Sequence, residues 1–579
     1  MKIQKIDILS FIIVILGFIA IVLENGTDQG RAVMFAGHIM DLFIFLLFLF
    51  VYFFKYFKAA QKVKFIRKNI LETAFIGAFI AFFIYGKLSF FSFGPEAWHH
   101  LPTKVAVIIS IFIIFKVALQ IKELSDYFRN LSLHPAQTIM SSFLIMIITG
   151  AILLMVPLST PDASRVGFVD ALFTSTSAAC VTGLTVIDTA SRFSVFGKTV
   201  IMFLIQAGGL GIMILAVFIV FLTGRKLSVQ DKMAMSYMLD ENDTRNIGNA
   251  IKSIVFLTFA FELCGALLLS SVFRHTASGF LDTVFFSVFH AVSAFCNAGF
   301  ALYPANLELF RSSLMVNAVI AALIIFGGIS FGVIVNTFRN VNGNIKRKIF
   351  RQNSRTEKLS LNTMVVLIST TVMIITGTLL IYKFEHGRSL LPLRIPTQYL
   401  MAFFQSVTLR TAGFNTMEIG GLCNTTYLLM ILFMFIGGAS GSTAGGIKVN
   451  SLGVVWAYMR SVFTNKDDVV LLKHSISQRL INQTFLVIVS SLGVVFLGSL
   501  LLSFTEKVKM IRIIFEVVSA FGTVGLTTGI TPRLTIFGKI VIIILMFIGR
   551  LGPLTVIMAL SSQGRQHRIR YPEGKIAIG

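Results

Sequence analysis

Four short stretches of this 579-residue chain end alike, and their residue types and spacing could do chemistry. They run from Phe173 to Gly183-Leu184, Phe289 to Gly299-Phe300, Phe403 to Gly413-Phe414 and Phe515 to Gly525-Leu526, each with Phe ten residues before the Gly. Successive glycines lie 116, 114 and 112 residues apart, so the register barely drifts. Glycine takes backbone dihedrals that a Cβ forbids, and can turn its neighbours' carbonyls to one side. Carbonyls gathered round an axis can replace the water shell of a cation. The candidate ion ligands are therefore Val181, Thr182, Gly183; Asn297, Ala298, Gly299; Thr411, Ala412, Gly413; and Thr523, Val524, Gly525.

A second group lies about 24 residues beyond Gly413. Gly437, Gly438, Ser440, Gly441, Ser442, Thr443, Gly445 and Gly446 fall in one ten-residue run that breaks a helix. At membrane depth such backbone must face protein or a water-filled cavity. This loop is expected beneath the glycine ring, where it could obstruct an ion. The phosphate-binding pattern GxxxxGK fails, because Ile447 follows Gly446. Arg550 stands where the other inner spans carry Gly209, Gly328 and Gly438, and a guanidinium there should repel a cation. The plainer alternative for Arg550 is a structural arginine bonded to backbone carbonyls away from the pore.

The elements that must position these residues follow from composition. Hydrophobic residues make up 55% and charged residues 13%, which excludes a string of soluble domains. Crossing about 30 Å of hydrocarbon takes about 20 apolar residues. Twelve runs qualify, near 7–23, 39–57, 69–86, 104–121, 137–158, 195–223, 251–273, 312–337, 361–383, 425–458, 482–504 and 534–561. The first is read as a retained span rather than a cleaved signal. Each glycine segment is too short to cross, since ten helical residues rise only about 15 Å. It should enter and turn back, aiming its negative C-terminal end at a cation. Basic clusters at 58–68 (Lys58 to Lys68), at Arg225-Lys226, from Arg339 to Lys358 and from Arg565 to Arg570 place those connections and the N-terminus in the cytoplasm. The net charge of +24 is read as this topological bias, with no nucleic-acid partner. Cys180, Cys264, Cys296 and Cys423 form no metal or disulfide pattern, and His99, His100 and His290 lack further ligands.

Thr523-Val524-Gly525-Leu526 resembles the TVGYG filter of potassium channels, and the other three segments are degenerate copies. Four such repeats in one chain resemble the Trk/Ktr/HKT superfamily of potassium transporters over about residues 137–561. The run from Gly437 to Lys448 is similar to that superfamily's intramembrane gating loop, and Ile548-Gly549-Arg550-Leu551-Gly552-Pro553 to its fourth inner helix. The expected fold is an all-α polytopic membrane protein: four span, pore-helix, span repeats around one central pore, plus about four extra N-terminal transmembrane helices.

The expected divisions are 1–130 for those extra helices, 131–245 for repeat 1, 246–358 for repeat 2, 359–478 for repeat 3 with the loop, and 479–579 for repeat 4 and a basic tail. The resemblance implies potassium uptake across the cell membrane, no enzyme activity and no cofactor on this chain, with Na+ a candidate coupling or activating ion. It also implies a homodimer and a cytoplasmic ring of nucleotide-binding regulator-of-potassium-conductance subunits. In the HKT branch, serine at the first filter glycine accompanies sodium permeation; Gly183 here implies potassium preference. The alternative is a sodium- or proton-coupled carrier of another solute with Glu262 as coupling group. Arg410 and Glu516 are a candidate ion pair behind the filter.

Overall fold

The computed structural model describes residues 135–162, 166–211, 247–276, 278–349, 358–391 and 393–560, with a few positions between 52 and 73. The four N-terminal spans, Arg225-Lys226, Arg351, Arg355 and the basic tail lie outside these, apart from those few positions. Among the described residues, four helices are long and apolar enough to cross a membrane: Ala136–Met155, Ile251–Phe273, Leu361–Glu385 and Gln478–Thr505. Their exposed faces carry large apolar side chains such as Phe256, Leu267, Val489 and Phe496, as lipid requires. The chain is a multi-pass membrane protein.

After each long helix comes a short one: Phe168–Ala179, Phe280–Phe295, Ile395–Thr408 and Met510–Phe521. Each long helix packs on the short helix that follows it. A third helix then leaves the outer loops: Val195–Leu210, Leu314–Gly328, Asn424–Phe435 and Ile536–Leu551. Three of these start at a hydroxyl N-cap, where Ser194 accepts from Gly197 N, Ser313 from Val316 N and Thr535 from Gly538 N.

The third helices differ from their expected lengths. The run at 312–337 is two helices, Leu314–Gly328 and Phe331–Ile349, bent by 103° at Ile329-Ser330. The run at 534–561 bends by 94° at Gly552, whose φ of +84° ends the helix before Pro553. The run at 425–458 stops at Phe435 and resumes at Val449. An apolar-run count does not register the two bends, because Phe331-Gly332-Val333-Ile334-Val335 and Leu554-Thr555-Val556-Ile557-Met558 continue the run past each.

Glycines let the third helices come close to the short ones. A Cβ on Gly208 would strike the Ala179 carbonyl, one on Gly327 that of Phe295, and one on Gly549 that of Phe521. Each carbonyl lies four residues before a segment glycine. The chain's first and last described parts also meet. Lys539 pairs with Asp170 at 2.6 Å, and Gln137 Nε2 donates to the Ala559 carbonyl at 3.0 Å. Among the described residues, four buried apolar clusters fill the joints between neighbouring parts; the largest combines residues 139–207, 289–302 and 502–546. Gly549→Val should overpack its joint by about 1–3 kcal/mol. The expected outcome is a lower unfolding midpoint in detergent, and an unchanged midpoint would contradict this close approach.

Candidate functional site

Each short helix ends and the chain turns within three residues. The first residue of every triplet has positive φ: Val181 +57°, Asn297 +59°, Thr411 +67° and Thr523 +51°. Non-glycine residues there are strained, β-branched ones most. The third residue has positive φ as well: Gly183 +91°, Gly299 +69°, Gly413 +78° and Gly525 +91°. Three of the helix ends close with paired backbone bonds: Val181 N to Ala178 O with Thr182 N to Ser177 O, Asn297 N to Ala294 O with Ala298 N to Ser293 O, and Thr523 N to Ala520 O with Val524 N to Ser519 O. In the third, Ala412 N instead reaches Thr408 O at 2.9 Å, so that turn is one residue shorter.

The triplets close on one another. A Cβ on Gly183 would meet the Ala298 carbonyl, one on Gly299 that of Ala412, one on Gly413 that of Val524, and one on Gly525 that of Thr182. Every glycine thus lies against the middle carbonyl of the next triplet, and the fourth returns to the first. The four glycines floor an outward-opening cavity of about 310 Å³ that also carries Asp188, Glu308 and Glu418. Burial and the Glu418 charge push the Glu308 carboxyl above the usual carboxylate range, while Asn415 and Arg311 pull it back. The hydroxyls of Thr182, Thr411 and Thr523 are buried and have no hydrogen-bond partner among the described residues.

Sequence spacing missed how the outer loops are held. At the position nine before the glycine, the second and fourth helices carry His290 and Glu516. His290 Nε2 accepts from Leu302 N at 3.3 Å, and Glu516 Oε2 accepts from Thr528 N at 3.5 Å. Both acceptors hold the residue three beyond the glycine. Thr174 and Phe404 occupy the other two helices there, and Thr174 bonds back to Asp170 O. Comparing the repeats column by column would have exposed this alternation. Ser177 and Ser519 accept from Gly183 N and Gly525 N at 3.0 and 3.1 Å, and Ser293 donates to Phe300 O at 2.7 Å; the third helix has Val407 in that column.

The Arg410–Glu516 pairing is not formed. Glu516 is taken up by Thr527, Thr528 N and Thr531, while Nε and Nη2 of Arg410 are buried without partners among the described residues. Glu262 is buried and accepts from Gln206 Nε2 at 3.3 Å and Cys296 Sγ at 3.9 Å.

Residues 436–448 form the irregular stretch expected at Gly437–Gly446. Gly441 and Gly446 have φ of +72° and +67°. The stretch is tied down by backbone bonds: Ala439 N to Gly328 O at 3.1 Å, Thr443 N to Gly327 O at 3.2 Å and Gly437 N to Ile447 O at 2.7 Å. Arg550 donates to the Thr443 carbonyl from Nη1 and to the Gly208 carbonyl from Nη2. It therefore staples the loop to the Val195–Leu210 helix. Arg550 thus has the backbone-carbonyl bonds of the structural alternative, and one of them is made to the loop itself. Lys448, quoted only as part of a motif, donates from Nζ to Ala444 O at 2.5 Å and Gly445 O at 3.5 Å.

Residues 103–569 match the family described as TrkH, cation transport protein. The chain belongs to the TrkH cation transport family. The Ktr system potassium uptake protein B of Bacillus subtilis is 40% identical over 447 residues, 77% of this chain and 97% of that protein. Its Vibrio alginolyticus counterpart is 35% identical over 444 residues, 76% and 94% of the two chains. The potassium/sodium uptake protein NtpJ of Enterococcus hirae is also 35% identical, over 77% of this chain and 98% of its own. The potassium transporter TrkH of Vibrio parahaemolyticus shares the fold, with a TM-score of 0.55 at 20% identity over 73% of this chain and 85% of that one. All four of these relatives are named for the uptake or transport of potassium, one of them with sodium.

Gly183 both needs its positive φ and touches a backbone carbonyl, so Gly183→Ser should displace the Ala298 peptide. Sodium should then compete with rubidium-86 uptake about tenfold better than in the parent, a factor that needs only about 1.4 kcal/mol. Unchanged competition would count against Gly183 as a filter residue.

Proposed function

We propose that this chain takes up potassium across the cell membrane through one axial pore built from its four glycine segments. The observation that carries the reading is the cyclic contact of each glycine with the next segment's middle carbonyl, together with the shared positive φ values. A ring of that kind offers inward carbonyls to a dehydrated cation, and the negative ends of four short helices face the same region. The relatives named as potassium uptake proteins favour potassium over other cations. All four glycines are present, and that supports preference over sodium.

The gate in this reading is the loop from Gly437 to Gly446 with Arg550. The loop hangs from Gly327 and Gly328 and is pinned by a guanidinium, so it can obstruct conduction without being part of the filter. Transport would proceed when the Arg550 contacts to Thr443 and Gly208 are exchanged for others, a change small enough for a partner subunit to drive. The proposed assembly is a homodimer with a cytoplasmic ring of nucleotide-binding regulatory subunits on its basic inner face. The proposed repeats keep the divisions 131–245, 246–358, 359–478 and 479–579, with 1–130 preceding them and the N-terminus in the cytoplasm. Na+ is proposed only as a coupling or activating ion. The carrier alternative is set aside, because Glu262 is occupied by Gln206 and Cys296 and the family is one of cation transport.

Purified full-length protein in liposomes should take up rubidium-86, with potassium blocking uptake far better than sodium. Arg550→Ala should raise the uptake rate on the order of tenfold, equivalent to about 1.4 kcal/mol of barrier. Silence from both proteins would overturn the reading.

A further inference from the structure

The outer end of the ring is not fourfold symmetric, and the departure is made by three polar side chains from two different repeats. Asn306 sits in the loop after the second triplet with φ of +54°. Its Nδ2 donates to the Gly299 carbonyl at 3.3 Å. Its Oδ1 accepts from Asn415 N, two residues beyond Gly413, at 3.5 Å. Asn415 is held in turn: its Nδ2 donates to Glu308 Oε1 at 2.9 Å and to Met417 O at 3.0 Å, and its carbonyl accepts from Leu307 N at 3.1 Å. The chain of contacts runs from a carboxylate on the cavity wall, through two amides, to a carbonyl of a ring glycine. Among the described residues, the Gly183, Gly413 and Gly525 carbonyls accept from no side chain.

We propose that Asn306, braced by Asn415 and Glu308, is a positioning residue for ion discrimination that fixes the Gly299 peptide plane at the outer mouth. The proposal rests on the axial-pore reading. A carbonyl with no other bond can rotate toward whichever cation is present and shrink the site around a small one. A carbonyl bonded to an amide cannot follow without losing that bond, and it presents a weaker field to the ion. Pinning one carbonyl of four keeps the mouth at the width of the larger ion. The same bracket joins the second and third repeats across their shared edge, so slippage between them would release Gly299 as well. Glu308 does not touch the ring; it acts through Asn415.

Proteoliposomes of the full chain are assayed for rubidium-86 uptake against competing potassium and sodium, comparing the parent with Asn306→Ala, Glu308→Ala and Glu308→Gln. Expected is a loss of potassium-over-sodium discrimination of about three- to tenfold in both alanine variants, the worth of one hydrogen bond. The double variant should be no worse than either single one, because both remove the same brace. Glu308→Gln keeps an oxygen to accept from Asn415 and should restore the parent ratio. Equal weakening by both ions to the parent ratio, or an unchanged ratio in the alanine variants, would overturn the brace. If Asn306→Ala does not purify as a single species, the Glu308 pair in its half-exposed loop decides the matter by the same ratio. Failure of the parent itself to prefer potassium would instead overturn the underlying reading.

Discussion

The contact between each segment glycine and the middle carbonyl of the next segment is the constraint on which the rest of the molecule depends. It can be made only where no Cβ intervenes and only with positive φ, so it fixes glycine at 183, 299, 413 and 525. It also leaves twelve residues of irregular backbone at membrane depth, where every amide and carbonyl must find a partner in protein or an ion. The surrounding elements supply those partners. The short helices close their ends by local backbone bonds, the third helices come close through Gly208, Gly327 and Gly549, and serine hydroxyls hold the glycine amides.

Fourfold likeness at the ring gives way to specialisation one layer out. His290 and Glu516 support the same loop position in alternate repeats, by a ring nitrogen in one and a carboxylate in the other. The third repeat carries the shorter turn, Val407 and the long irregular stretch after Phe435; the fourth carries Arg550. A single chain can do this because its copies need not share one sequence. The irregular loop of the third repeat is anchored by others: it bonds to Gly327 and Gly328 and, through Arg550, to Gly208.

Buried cations are the costly part of the arrangement, since a charge inside a membrane protein demands polar compensation. Arg550 and Lys448 both find it in carbonyls freed where helices end or break. The break in the third helix therefore serves as a source of acceptors. Arg410 is treated differently, with two buried nitrogens unpartnered beside the shortened turn.

The sequence alone determined the membrane class, the four glycine segments and their register, the irregular loop and the unusual Arg550. Each of these is a matter of composition or of spacing along one chain, and apolar run length or glycine periodicity reports it directly. Bends at Ile329-Ser330 and Gly552 were hidden because apolar residues continue directly past each. Only the tertiary structure decided which groups meet: that Glu516 faces Thr531 and not Arg410, that Arg550 bonds to Thr443 and Gly208, more than one hundred and three hundred residues away, and that Asn306 reaches Gly299 with help from Asn415. Such pairings depend on how repeats are rotated against one another, and rotation is set by packing across interfaces that leave no periodic trace in the chain.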